Sequence, residues 1–133
     1  MKRYMLDTNT VSHLVKSHPS VCLQVTTVPI TSLCISVITG GELMFGLAKM
    51  PDARRLQQAV TEFLRRVDVL PWDSAVMRRY GNLRADLEKN GQTLGPLDML
   101  IAAHALETHS VLVTNDAAFG RVAGLTTEDW TRH

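Results

Sequence analysis

Residues 3–9 read RYMLDTN, a short apolar run that breaks off at Asp7-Thr8-Asn9, three residues that favour turns and helix caps. This reads as a strand followed at once by a helix start. Val11, Leu14 and Val15 then carry helical spacing to about Lys16, and Pro19 closes the element. The same pattern recurs downstream. Residues 33–38 (LCISVI) read as a buried, β-branched strand that runs into Thr39-Gly40-Gly41-Glu42 and the helical stretch LMFGLAKM. Val67 to Leu70 reads as a short strand ended by Pro71, and Val111 to Val113 as another that stops at Thr114-Asn115-Asp116.

Helices fill the intervals. From Pro51, Leu56, Val60, Phe63, Leu64 and Val67 share one face, with arginines and glutamines opposite. Asp73 caps a second helix, with Val76, Tyr80, Leu83 and Leu87 at apolar spacing and Gly91 as its stop. Pro96 suits the first turn of a third, LDMLIAAHALE. Strands interleaved with helices predict an α/β fold of three layers, α/β/α, around a central, mainly parallel sheet. A chain of 133 residues and 14.8 kDa is expected to form one domain over 1–133, able to bury roughly two-thirds of its unfolded surface.

Composition narrows the function classes. With 45% hydrophobic and 20% charged residues the chain is neither disordered nor a disulfide scaffold. No apolar run approaches the ~20 residues that cross a bilayer, and the N-terminal segment lacks a signal-peptide core, so a cytoplasmic protein without membrane contact is expected. Cys22 and Cys34 have no Cys or His companion at zinc spacing and read as buried free thiols. Charge is uneven. Residues 54–89 carry eight basic and five acidic side chains, residues 90–133 two and five. The doublets Arg54-Arg55, Arg65-Arg66 and Arg78-Arg79 dominate the basic third. They read either as a solvated helix face or as a surface for a polyanion, with Arg54, Arg65, Arg78 and Arg79 as candidate phosphate contacts. Arg54 and Arg65 are eleven apart, about three turns, hence on one face.

Four acids fall where a parallel sheet places its ligands, at the carboxyl ends of strands. Asp7 follows the first strand, Glu42 opens the helix after the second, Asp98 lies in the first turn after Pro96, and Asp116 follows the strand at 111–113. Each has a structural alternative. Asp7 and Asp116 suit turns or caps, Glu42 completes a Thr-x-x-Glu capping box with Thr39, and a helix dipole favours Asp98. Jointly they point to chemistry. Carboxylates so gathered need a compensating cation, and an all-oxygen set favours Mg2+, with Mn2+ as the alternative, over zinc. Thr8, Asn9, Ser36 and Thr114 border the acids and are expected to orient a water. The histidines, His104 in its packed alanine-rich helix included, read as structural.

These residues resemble a family. Met5-Leu6-Asp7-Thr8-Asn9, then Ile35-Ser36 through Thr39 to Glu42-Leu43 and Gly46, then Gly95-Pro96-Leu97-Asp98 with Ile101-Ala102-Ala103-His104-Ala105, then Val113-Thr114-Asn115-Asp116 with Phe119, look like the PIN-domain nucleases. More narrowly, the chain is similar to VapC toxins of toxin-antitoxin pairs, through the closing Gly124-Leu125 and Glu128-Asp129-Trp130. The resemblance implies a Mg2+- or Mn2+-dependent endoribonuclease with Asp7, Glu42, Asp98 and Asp116 as catalytic metal ligands, leaving a 5′-phosphate and a 3′-hydroxyl. It further implies RNA as substrate, tRNA and the initiator anticodon loop foremost. A cognate VapB antitoxin would dock over the helices following the first two strands, with operator DNA bound only through VapB. Assembly as a homodimer or a hetero-oligomer with the antitoxin follows too, and Leu14, Met44 and Leu47 read either as part of such a surface or as core. One departure is Gly40, where similar chains carry a further acid two residues before the glutamate.

Two rivals belong to other classes. A receiver-like phosphoacceptor needs a lysine after its last inner strand, and no lysine follows Lys89. A catalytically silent PIN-like binding module would lack one of the acids, and all four are present.

Overall fold

The computed structural model describes residues 2–132. Its sheet is built from β1 (Tyr4–Leu6), β2 (Leu33–Ser36), β3 (Asp68–Leu70), β4 (Val111–Val113) and β5 (Thr127–Glu128), in the order β3-β2-β1-β4-β5. All four ladders are parallel, with Met5 beside Cys34 on one side and Leu112 on the other. Parallel neighbours need crossover connections, and the helices α1 (Thr8–Val15), α2 (Pro19–Val25), α3 (Val37–Lys49), α4 (Arg54–Arg66), α5 (Ser74–Lys89) and α6 (Pro96–Glu107) supply them.

The strands are short and the two-residue alternation of their side chains divides the core. Met5, Cys34 and Leu112 face α5 and α6, against Val76, Leu83, Leu87 and the Ile101–Ala105 stretch. Leu6, Ile35 and Val113 face the other way, toward Val11 of α1, Val21 of α2, Leu43 and Leu47 of α3, and Val60 and Phe63 of α4. The result is the expected α/β/α sandwich, with α1 to α4 on one face and α5 and α6 on the other. Helix α6 is apolar on nearly every side because it lies between the sheet and α5, and Ala102, Ala103 and Ala105 are wholly buried. Among the described residues no helix is long and apolar enough to cross a membrane.

Four local readings need correction. The strand expected over 33–38 ends at Ser36, because the Ser36 hydroxyl accepts the Ile38 N–H at 3.1 Å and starts α3 at Val37. Glu42 therefore lies in the second turn of α3, and the Thr39–Glu42 capping box does not exist. Pro19 opens a helix as well as closing one. A left-handed Ser17 (φ 64°) turns the chain, and His18 Nδ1 accepts the Val21 N–H at 3.4 Å to start α2. The helix expected from Pro51 begins at Arg54, and Val67 is its C-cap. Finally, β5 was not foreseen. It pairs beside β4, and Trp130 beyond it is buried against Tyr4, ring centroids 5.4 Å apart.

Candidate active site

Four backbone segments bring the acids to one edge of the sheet. Asp7 caps α1, its Oδ1 accepting the Thr10 N–H at 2.8 Å, while its own N–H donates to Val113 O at 3.0 Å and so ties the end of β1 to the end of β4. Asp116 repeats the device after β4, where its Oδ1 accepts the Ala118 N–H at 2.9 Å and caps the 3-10 turn Ala117–Arg121. Thr114 supports it, with Oγ1 accepting the Asp116 N–H at 3.1 Å. Glu42 reaches from α3, and Thr8 Oγ1 donates to its Oε1 at 2.6 Å. Each of these three carboxylates thus has one oxygen anchored, and the second is without a hydrogen-bond partner among the described residues.

Asp98 differs. It sits in the first turn of α6, and no side chain or backbone donor holds its carboxylate among the described residues. A Cβ placed on Gly95 would come within 3.3 Å of its Oδ2, so the glycine leaves that oxygen room. Burial, then the charges of Asp116, Glu42 and Asp7, push its carboxyl above the ordinary aspartate range. No basic side chain is among the groups that act on it. As the side chains stand, no three His, Cys, Asp or Glu residues among those described are close enough to share one ion. Asp7, Glu42 and Asp116 each offer one free oxygen, and Asp98 offers both. An all-oxygen, net-negative donor set of this kind fits a hard divalent cation.

The neighbouring polar residues divide. Thr8 and Thr114 hold acids directly. Asn9 is exposed on α1. Ser36, expected beside a metal water, is fully buried and faces His104 instead, with Oγ 2.7 Å from His104 Nδ1. Sequence reasoning placed His104 in the packed core correctly but missed its partner, 68 residues away, for which no local signal exists. Thr39 is also buried, its Oγ1 without a partner among the described residues. A side chain at Gly40 would lead to Ile35 and Val69 rather than to another acid. Of the thiols, Cys34 is buried and pushed up to about 11, chiefly by that burial, and is inert.

The basic residues also separate. Arg54 and Arg78 are exposed, and Arg65 sits 3.7 Å from Glu62 on the open face of α4. Arg79 is committed. It pairs with Glu107 at 3.3 Å, at the end of α6 opposite Asp98. Trp72 and Tyr80 pack on each other, and the Trp72 indole donates to Leu100 O at 3.2 Å. Beside the acids a groove of about 730 Å³ runs between α1, α3 and α4, lined by Val15, Phe45, Leu47, Met50 and Leu56, and entered past Thr8 and Glu42. Phe45 is 64% exposed there, with the Lys49 ammonium 4.6 Å from its ring centroid.

Known proteins share this fold. A family model for the PIN domain matches residues 4–125. The chain is 36% identical over 132 residues, 98% of its length and 100% of the relative's, to the tRNA(fMet)-specific endonuclease VapC of Shigella flexneri. It is 36% identical over 131 residues, 98% and 99% of the two lengths, to ribonuclease VapC2 of Haemophilus influenzae. A chain of DNA-bound VapBC from Salmonella typhimurium superposes with a TM-score of 0.88 at 37% identity, covering 98% of this chain and 99% of that one. One of VapBC2 from Rickettsia felis, bound to a promoter fragment, gives 0.87 at 32%, covering 94% and 96%.

Proposed function

The chain belongs to the PIN-domain family and, within it, to the VapC ribonucleases, and from that footing we propose a toxin of a toxin-antitoxin pair. It is an endoribonuclease that depends on Mg2+, or Mn2+ in its place. It cuts tRNA, foremost the anticodon loop of the initiator, and so stops translation. The observation that carries the chemistry is the gathering of Asp7, Glu42 and Asp116, each with one oxygen anchored, around the unanchored carboxylate of Asp98.

Asp7, Glu42, Asp98 and Asp116 would hold the cation. When bound, it polarises a water and the scissile phosphate and neutralises charge on the leaving oxygen. The chain's own contribution is placement. Caps on α1 and on the turn after β4 fix Asp7 and Asp116, Thr8 fixes Glu42, and the dipole of α6 faces its positive end toward Asp98 and the phosphate. Thr8 and Thr114 orient acids in this scheme, and Asn9 faces solvent. Arg54, Arg65 and Arg78 contact RNA phosphates farther along the strand.

The names of the relatives support tRNA, and the VapBC complexes among the similar structures support a VapB partner that brings the pair to operator DNA. The apolar groove entered past Thr8 and Glu42 is the seat for the antitoxin, since a chain lying in it reaches the acids directly. A homodimer, or a hetero-oligomer with the antitoxin, is the expected assembly, in the cytoplasm.

The test is cleavage of a panel of tRNAs and ribosomal RNA by the antitoxin-free protein, with Mg2+ or chelator, beside Asp98→Asn. Cutting at one site that needs Mg2+ and is lost in the variant is expected. Equal cutting by Asp98→Asn would overturn the assignment of the site, and no cutting of any RNA by folded, metal-binding protein would leave a silent module.

A further inference from the structure

Helices α3 and α6 carry two of the acids, Glu42 and Asp98, and the relation between them must be set by something. Apolar packing alone does not set it. Burial is non-directional, and the wholly buried Ala102, Ala103 and Ala105 of α6 give little side-chain relief to resist sliding along the axis. Directional contacts are few. One is the Trp72 indole donating to Leu100 O. Another is the Arg79 guanidinium on Glu107, at 3.3 Å at the far end of α6. The buried one is the pair formed by His104 of α6 and Ser36, the residue that ends β2 and caps α3, at 2.7 Å.

The bonding of that pair can be written out. Ser36 Oγ accepts the Ile38 N–H that starts α3. Its single proton is then free to go to His104. With the ring proton on Nε2, Nδ1 receives the Ser36 hydroxyl proton. The contact joins α6 to the junction of β2 and α3. Ser36 and His104 are both buried, and a buried donor or acceptor left single is penalised, so the register is held in one position.

We propose that Ser36 and His104 are positioning residues that set the placement of Asp98 relative to Glu42, and with it the affinity of the acidic site for its cation. The proposal rests on the nuclease reading above. His104 is two turns from Asp98 along α6, and Ser36 is two turns from Glu42 along α3, so the pair acts through the helices and touches neither acid.

The experiment titrates Mg2+ and Mn2+ into the whole protein by calorimetry, follows single-turnover RNA cleavage, and records the imidazole nitrogens of His104 by NMR. Four proteins are compared: wild type, Ser36→Ala, His104→Asn and Val21→Ala. Asparagine keeps an acceptor near the Nδ1 position, and Val21→Ala is an equally buried loss in α2, remote from the pair. Expected is a fall of about tenfold or more in metal affinity for Ser36→Ala, with a lower kcat at sub-saturating metal and an unchanged KM for RNA. His104→Asn should recover most of that affinity, Val21→Ala should bind metal like wild type, and the wild-type spectrum should show an unprotonated Nδ1. Wild-type metal affinity in Ser36→Ala would overturn the proposal while leaving the nuclease reading intact, as would an equal loss in Val21→Ala. A wild type that binds no divalent cation would overturn both.

Discussion

At the scale of single residues, the site is a problem of unbalanced charge. The Asp98 carboxyl is pushed up in the folded chain, first by burial and then by three acids. A carboxyl raised on folding contributes stability below its unfolded value, about 3.9, and loses it as pH climbs through the folded value. At neutral pH, without metal, Asp98→Asn should therefore raise the melting temperature while abolishing cleavage. Mg2+ should reverse the ranking, since wild type gains about 2.7 kcal/mol at a hundredfold excess over Kd and the variant does not. Calorimetric scans with and without Mg2+ measure both. His104 carries the opposite sign. Burial pushes the ring below its ordinary range against the pull of Asp73 and the Pro71 carbonyl, so the unfolded chain takes a proton that the folded one refuses. Stability should fall as pH drops below about 6.5, and urea titrations at pH 8 and 5.5 should show that fall shrinking in His104→Asn. Thr8→Val removes the hydroxyl that donates to Glu42 and should weaken Mg2+ binding about tenfold or more, as read by the same calorimetry.

At the scale of elements, β1 to β4 and most helices were legible, and so was the position of the four acids after or near strand ends. The losses have physical causes. Ser36 and Val37 belong to one apolar β-branched run, and what ends the strand is a serine cap, which periodicity cannot see. Thr39 and Glu42 have capping-box spacing, but a cap three residues earlier had already started the helix. Helix α2 was lost because its cap is His18, an uncommon choice, and β5 because two residues are too short to show alternation. The Ser36–His104 contact joins positions 68 apart, so only the fold reveals it. The arginines need the same correction. Arg79 is paired with Glu107, whereas Arg54 and Arg78 are open. Replacing Arg54 and Arg65 together with glutamine should weaken RNA binding and lower the steepness of its salt dependence, whereas Arg79→Gln should leave that steepness unchanged; filter binding from 50 to 200 mM salt decides it.

At the scale of the whole molecule, the two faces of the sheet have different duties. The α5–α6 side is closed, and the α1–α4 side carries the groove with an exposed phenylalanine. Phe45→Asp should leave RNA cleavage intact but raise the antitoxin concentration needed for half-inhibition by about tenfold or more, since exposed aromatics anchor such interfaces. Undiminished inhibition would move the antitoxin elsewhere. The central strand β1 is made first yet is flanked on one side by β4, and the four acids are spread from position 7 to position 116. At synthesis rates of about 5–20 residues per second, roughly 4–15 s separate Glu42 from Asp116 on the ribosome. Through that interval the nascent chain has neither the last acid nor the strand that ties down the first. With this strand order the four acids cannot meet until β4 and Asp116 have been made, so the proposed site is timed by topology alone.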